Sequence, residues 1–459
     1  MQLKTLWLIV FVATTAHAFM PLSPVIPQTR SPRTTLRPAM MADITAAGDL
    51  SQQIQTTLAP VLGGNSLPLP ELSVPIVGLI YGFQTPGVIA GLLSLAFGIG
   101  KTPTWVAEDI GPKVGRTLGR GNFGTVQEAY VTASGAQKMK GREGQQVVIK
   151  RCVNGDQAEI EAYFCQRTKS LGRYFPEFLG GGERQGDTEK GRLLVWRYEG
   201  SKTLEEYVQA SDFPLNLEDP LFRARAPSKE ADVEKRSAAV LREVVRSALQ
   251  AAKAMHSGGV VHRDVKPANM IISERDSGPT ILLADLGAAV DLRNGYNFNP
   301  DEGLLDPRYA PPEQYVLPQT VPRAPPALSA VLGSPFIWAQ YAPGKFDTYA
   351  VGMMLLQMGV PQLRKSESLQ LVSRRIAECG GDVEEWRERF GQNLDFALLD
   401  RQNGAGWELV TKLVVDRSRR LSAARALGHR YLKSENVGGP VSPPPEQATS
   451  PLGSATLRR

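Results

Sequence analysis

Apolar positions along this 459-residue chain come in blocks of different period, and each block predicts its own kind of element. Leu6 to Ala13 is an unbroken apolar run behind Lys4 and ahead of Ala16-His17-Ala18, the layout of a signal peptide over residues 1–18. Leu72 to Gly100 holds no charged residue. A bilayer core asks for about 20 apolar helical residues. Residues 72–100 are therefore expected to form a single transmembrane segment, kinked or hairpinned at Pro86; a buried soluble helix is the alternative. Val147 to Lys150 and Leu193 to Glu199 read as strands, and Asp156 to Thr168 as a helix. Residues 212–236 read as a charged, solvated loop, and the Pro-rich stretch at about 317–345 as too broken for a regular helix. Residues 433–459 read as a disordered tail.

Composition changes the picture only in part. Charged residues make up 21% and hydrophobic ones 42%, so a globular core is expected. The net charge is +6, but Lys4, Arg30, Arg33 and Arg37 supply most of it within a stretch that has no acid. The basic balance is thus no argument for nucleic acid. Cys152, Cys165 and Cys379 make neither a disulfide framework nor a metal-ligand spacing. No Lys or Arg lies between Arg37 and Lys101, whereas Lys101, Lys113 and Arg116 follow the uncharged block. The positive-inside tendency then puts the C-terminal domain on the cytoplasm-like side.

The candidate chemistry sits in four strings. Leu118-Gly119-Arg120-Gly121-Asn122-Phe123-Gly124-Thr125-Val126 fits G-x-G-x-x-G-x-V, where glycines let backbone approach phosphates. Val147-Val148-Ile149-Lys150 resembles V-A-I-K. His262-Arg263-Asp264-Val265-Lys266-Pro267-Ala268-Asn269 is followed by Asp285-Leu286-Gly287. Together these resemble the eukaryotic protein kinases over residues 112–432. That resemblance implies an α+β, bilobal fold: an antiparallel sheet with one main helix in the small lobe, a mostly helical large lobe, and ATP with Mg²⁺ between them. Asp264 would take the substrate hydroxyl proton, and Lys266 would neutralise charge on the phosphoryl group. Lys150 would hold phosphates, while Asn269 and Asp285 would bind the metal through oxygen. Leu118, Gly119, Gly121, Asn122, Phe123, Gly124 and Val126 would cover the nucleotide. A helix carboxylate should hold Lys150. Glu159 and Glu161 both qualify; Glu161 is preferred because Phe164 and Cys165 follow it where the family has core residues. Lys266 points to Ser/Thr substrates, and His262 to a structural role.

Between Asp285 and Glu313 there is no Ser and no Thr, so phosphorylation on those residues cannot switch the segment. Asp301, Glu302 or Asp306 is expected to serve as the anion for Arg263. Asp306 stands where such kinases usually have Thr, which is tolerable only if Lys266 lies between it and Asp264. Glu313 is expected to pair with Arg420, and Asp347 to brace the catalytic loop.

Leu282 to Arg293, Leu305-Asp306-Pro307-Arg308-Tyr309-Ala310-Pro311-Pro312-Glu313-Gln314-Tyr315, Val195 to Gly200 and Gly406-Trp407-Glu408-Leu409 resemble the chloroplast state-transition group of Ser/Thr kinases. This implies phosphorylation of thylakoid light-harvesting or photosystem proteins from the stromal face. Phe19 after the Ala-x-Ala site resembles the plastid signals of algae with complex plastids, with 19–41 as the transit-like segment and 42–71 as a linker. Residues 1–100 contain no Cys, so the lumenal Cys pair shared by that group has no counterpart. The alternatives are an endomembrane kinase with the same chemistry, and a pseudokinase scaffold.

Overall fold

The computed structural model describes residues 103–121, 124–183, 192–223, 232–275, 280–298, 306–318 and 327–433, with Val88 and Leu92. The signal, transit, linker and tail segments, and nearly all of 72–100, lie outside the described residues. Among the described residues no helix is long and apolar enough to cross a membrane.

Five antiparallel strands form the small lobe in the order β1-β2-β3-β5-β4: β1 Ile110–Gly121, β2 Gly124–Val131, β3 Gln146–Cys152, β4 Phe178–Glu183 and β5 Arg192–Arg197. The start expected at residue 112 therefore falls inside β1. Strand alternation gives the sheet two buried faces. Val147 and Ile149 join Ala129, Val131, Val195 and the fully buried Trp105 on one side. Lys150 and Cys152 turn to the other. A short helix, α1 (Ala133–Lys138), covers the first face with Ala136, in addition to the one main helix expected. The main helix, α2 (Gly155–Thr168), starts where Asn154 Oδ1 accepts from Asp156 N at 2.9 Å. It buries Ala158, Glu161, Phe164, Cys165 and Thr168, a stripe at helical spacing. Burial pushes the Cys152 thiol up to about 11, and Glu161 adds to it; both buried cysteines of this lobe read as core residues.

The large lobe begins with α3 (Leu204–Gln209) and α4 (Glu218–Phe222). The solvated loop expected from 212 is thus replaced by packed structure as far as Arg223, because Phe213, Leu217 and Leu221 are buried. Helix α5 (Val233–Ser257) runs through the core, followed by strand pairs β6 (Val260–Val261) with β9 (Val290–Asp291), and β7 (Met270–Ile272) with β8 (Ile281–Leu283). The Pro-rich stretch is a second correction: Ala327–Tyr341 forms a helix, α6, despite Pro335. A proline inside a helix costs about 3 kcal/mol. Burial of Ala330 and Val331, with Ile337, Trp338 and Tyr341 against Leu292, Val316 and Phe346, offsets it. Helix α7 (Lys345–Gly359) is buried along almost its whole length. The lobe closes with α8 (Ser366–Glu378), α9 (Val383–Phe390), α10 (Ala397–Leu413, broken at Arg401 to Gly404), α11 (Ala423–Leu427) and α12 (Arg430–Lys433).

Candidate active site

Register fixes what faces the cleft from the small lobe. Gly121 pairs with Gly124 across the β1–β2 turn, and Val126 lies opposite Lys150 and shares its face. A Cβ on Gly119 would meet no protein atom within 4 Å, so its backbone is open to a ligand. Gly124 has φ +140°, and a Cβ there would come within 2.2 Å of the Arg151 carbonyl oxygen. Leu118 is half-buried on β1; Asn122 and Phe123 lie outside the described residues. Lys150 Nζ stands 2.6 Å from Glu161 Oε2 and 3.8 Å from Asp285 Oδ1. Burial opposes the lysine's charge, but these two carboxylates outweigh it and push its pKa up to about 12. Glu159, the rival candidate, pairs with Arg192 on β5.

The catalytic-loop string is shaped from below by Asp347 at the start of α7. Its carboxylate, with no side-chain exposure, accepts from His262 N at 3.0 Å, Arg263 N at 2.9 Å and the His256 ring at 2.8 Å. Burial opposes ionisation, but His256 and these contacts hold its carboxyl below the usual range. His262 is fully buried and acts as a strut: Nδ1 accepts from Asp264 N at 3.2 Å, and Nε2 donates to the Ala284 carbonyl at 3.1 Å. Asn269 Nδ2 donates to the Asp264 carbonyl at 2.8 Å and to its Oδ2 at 2.9 Å. Lys266 Nζ meets the same Oδ2 at 2.9 Å. Both contacts fall on Oδ2, which leaves Oδ1 to accept a hydroxyl proton.

Lys266 also lies 3.6 Å from Asp306, so it stands between the two carboxylates as required. Asp306 is gripped by Arg308, through Nε at 2.9 Å and Nη2 at 2.6 Å. Arg263 Nε donates to the Ala288 carbonyl. Asp301 and Glu302 lie outside the described residues. Glu313 takes Arg420 with two bonds of 2.8 and 3.0 Å, and Arg417 as well.

The β7–β8 hairpin brings the metal-ligand candidates together, since Ala284 N donates to the Asn269 carbonyl at 2.8 Å. Asn269 commits its amide nitrogen to Asp264, so the amide oxygen is the end available to a cation. Asp285 keeps 45% of its side chain exposed. Two hard oxygen donors, with phosphate oxygens completing the shell, suit Mg²⁺ better than a metal held by protein alone. Among the described residues no cluster of three or more His, Cys, Asp or Glu could hold one.

Sequence reasoning missed the residues that hold this geometry. Gln157 on α2 donates to the Gly287 carbonyl at 2.9 Å, tying the helix to the D-L-G turn. Asp291 is fully buried among Tyr163, Arg167 and Arg293. Gln157, Tyr163 and Arg167 lie in no motif; Asp291 and Arg293 fall within the Leu282 to Arg293 string, which gave them no role.

Comparison with known proteins agrees with this arrangement. The protein kinase domain model matches residues 204–432. Serine/threonine-protein kinase STN8, chloroplastic, of Arabidopsis thaliana is 35% identical over 395 residues, 77% of this chain and 78% of that protein. Its counterpart STN7, chloroplastic, from the same plant is 34% identical over 407 residues, 85% of this chain and 69% of that protein. A crystal structure of an Stt7 homologue from Micromonas algae, soaked with ATP, superposes with a TM-score of 0.59 at 29% identity, covering 72% of this chain and 95% of that one. The chain therefore belongs to the protein kinase family, as a serine/threonine-protein kinase related to STN7 and STN8.

Proposed function

We propose that this kinase transfers the γ-phosphoryl group of ATP to Ser or Thr hydroxyls of thylakoid light-harvesting or photosystem proteins. The catalytic assignment rests above all on Asp264, with one oxygen held by Lys266 and Asn269 and the other left for the substrate. The hydroxyl oxygen forms a bond to the γ-phosphorus as the bond to ADP breaks; the electron pair leaves on ADP and the hydroxyl proton passes to Asp264. Lys150, kept in place by Glu161, binds phosphate, and Lys266 balances charge on the group in flight. Bound Mg²⁺, held by the oxygens of Asn269 and Asp285, would neutralise phosphate charge. The glycines of the β1–β2 turn and Leu118 and Val126 cover the nucleotide.

The plastid address is supported by the chloroplastic relatives and by the signal- and transit-like N-terminus. The uncharged block at 72–100 would anchor the kinase domain to the stromal face of the thylakoid. Purified full-length protein, incubated with labelled ATP, Mg²⁺ and washed thylakoid membranes, should place label on Ser and Thr. Asp264→Ala should lose roughly 10³-fold in rate. Equal labelling by wild type and variant would overturn the catalytic assignment. Labelling of a generic Ser/Thr substrate with none on thylakoid proteins would overturn the substrate assignment.

A further inference from the structure

A buried polar cluster joins α2 to the segment after the D-L-G turn, and the catalytic reading above does not use it. The segment folds back on itself: Asp291 N donates to the Tyr296 carbonyl at 3.1 Å, Gly295 has φ +75°, and Tyr296 N donates to Asn294 Oδ1 at 3.0 Å. This turn lays the Tyr296 ring on Tyr163 of α2, stacked at 3.9 Å between centroids. Asn294 Nδ2 donates to the Tyr163 hydroxyl at 2.7 Å, and that hydroxyl donates to Asp291 Oδ2 at 3.1 Å. Arg167 Nε, also from α2, reaches the same Oδ2 at 3.2 Å, and its Nη2 donates to the Gly258 carbonyl at 2.9 Å. Arg293 Nη2 lies 3.7 Å from that oxygen. Asp291 itself is fixed by β9, where it pairs with Val260 just before the catalytic loop.

Tyr163 and Arg167 follow Glu161 by two and six residues on one rigid helix. Whatever holds them also sets where Glu161 meets Lys150. A fully buried carboxylate is costly unless paired, so loosening α2 from the segment would leave the Asp291 charge uncompensated. In kinases whose activation segments are ordered by phosphorylation, the ordering anion is a phosphate added after synthesis. Here the segment from Asp285 to Glu313 has no Ser or Thr to receive one.

We propose that Asp291 is a positioning residue: a carboxylate of the chain's own that latches α2 to the segment and keeps Glu161 against Lys150 without added phosphate. The proposal rests on the roles given above to Lys150 and Glu161.

The test uses full-length protein made in bacteria and shown by mass spectrometry to carry no phosphate, with ATP·Mg²⁺ binding measured alongside activity. Wild type should be active. Tyr163→Phe keeps the ring stack and removes only the hydroxyl; it should lower kcat/KM for ATP about fivefold, with KM for protein substrate unchanged. Asp291→Asn should lose more. In a Glu161→Gln background Tyr163→Phe should cost nothing further, because both act through one pair. Losses that multiply in the double variant would overturn the proposal, as would phosphate-free wild type that binds ATP but turns over only after phosphorylation. Absence of ATP binding would instead strike the site assignment. Should Asp291→Asn fail to fold, Tyr163→Phe and its cycle with Glu161→Gln decide the matter alone.

Discussion

The two ends of the segment between Asp285 and Glu313 are fastened in different ways. At the near end Asp291 has no exposure and draws its partners from α2 and the segment itself. At the far end Asp306 keeps 12% of its side chain exposed and serves Lys266 beside the catalytic Asp264, while Glu313 is clamped to Arg420 of the large lobe. On the proposed roles, the near end sets how the small lobe presents Lys150 to a nucleotide, and the far end sets where a substrate hydroxyl would meet Asp264. One segment serves two substrates through two sets of carboxylates, and the two should separate in kinetics.

The strongest way to break the far end is Arg420→Met. Arg420 is 1% exposed, and besides Glu313 it donates to the Lys345 carbonyl at 2.9 Å and the Val415 carbonyl at 2.9 Å. Removing one partner of such a pair costs on the order of 3 kcal/mol, since the other charge stays behind without full compensation. Urea unfolding should register that loss. Lysine at the same position should recover only part of it, because the bidentate geometry is lost. Unchanged stability in Arg420→Met would mean that Arg417 alone anchors Glu313.

A finer cut is Asp306→Asn. The carboxylate holds Arg308 through charge-assisted bonds and shares Lys266 with Asp264. The variant should lower kcat/KM for protein substrate about tenfold, equivalent to roughly 1.4 kcal/mol, and leave KM for ATP unchanged. Tyr163→Phe at the near end should show the opposite pattern. If both variants moved the same constant, the division between the two ends would fail.

The candidate site was legible in the sequence because each proposed group lies in a short string whose spacing is set by one loop or strand. Asp264, Lys266 and Asn269 share a loop, and Lys150 lies on β3, whose period-two alternation turns it to the cleft. The choice of Glu161 over Glu159 was legible from the family's placing of core residues three and four positions after the Glu, which Phe164 and Cys165 meet. What holds these groups was hidden, because the partners are far apart in the chain: Arg167 and Asp291 are separated by 124 residues. Helix α6 was hidden for a different reason. Gly333 and Pro335 argue locally against a helix, and only burial against Val316 and Phe346 overrides them. Asp306 marks the middle case. Its conflict with Asp264 could be read from position, as could its remedy in Lys266, but Arg308 as its main partner could not.

The smallest effect to be tested is that of acid on the far end. Burial raises the Glu313 carboxyl, but Arg420 and Arg417 outweigh it and hold it below the ordinary 4.5. Burial likewise opposes ionisation of Asp306, and Arg308 with Lys266 holds it below 3.8. A carboxyl with a depressed folded pKa binds fewer protons folded than unfolded. Its contribution to stability is therefore complete above the unfolded value and is lost as pH falls through the folded one. Between pH 7 and 5 neither group should alter stability; below about 4.5 both should begin to, Glu313 first. The slope of unfolding free energy against pH from 4.5 down to 3 should be shallower in Glu313→Gln than in wild type. Asp306→Asn should flatten it only at the lower end of that range. A wild-type slope that begins near pH 6 would mean that groups other than these two carboxylates set the acid limit of stability.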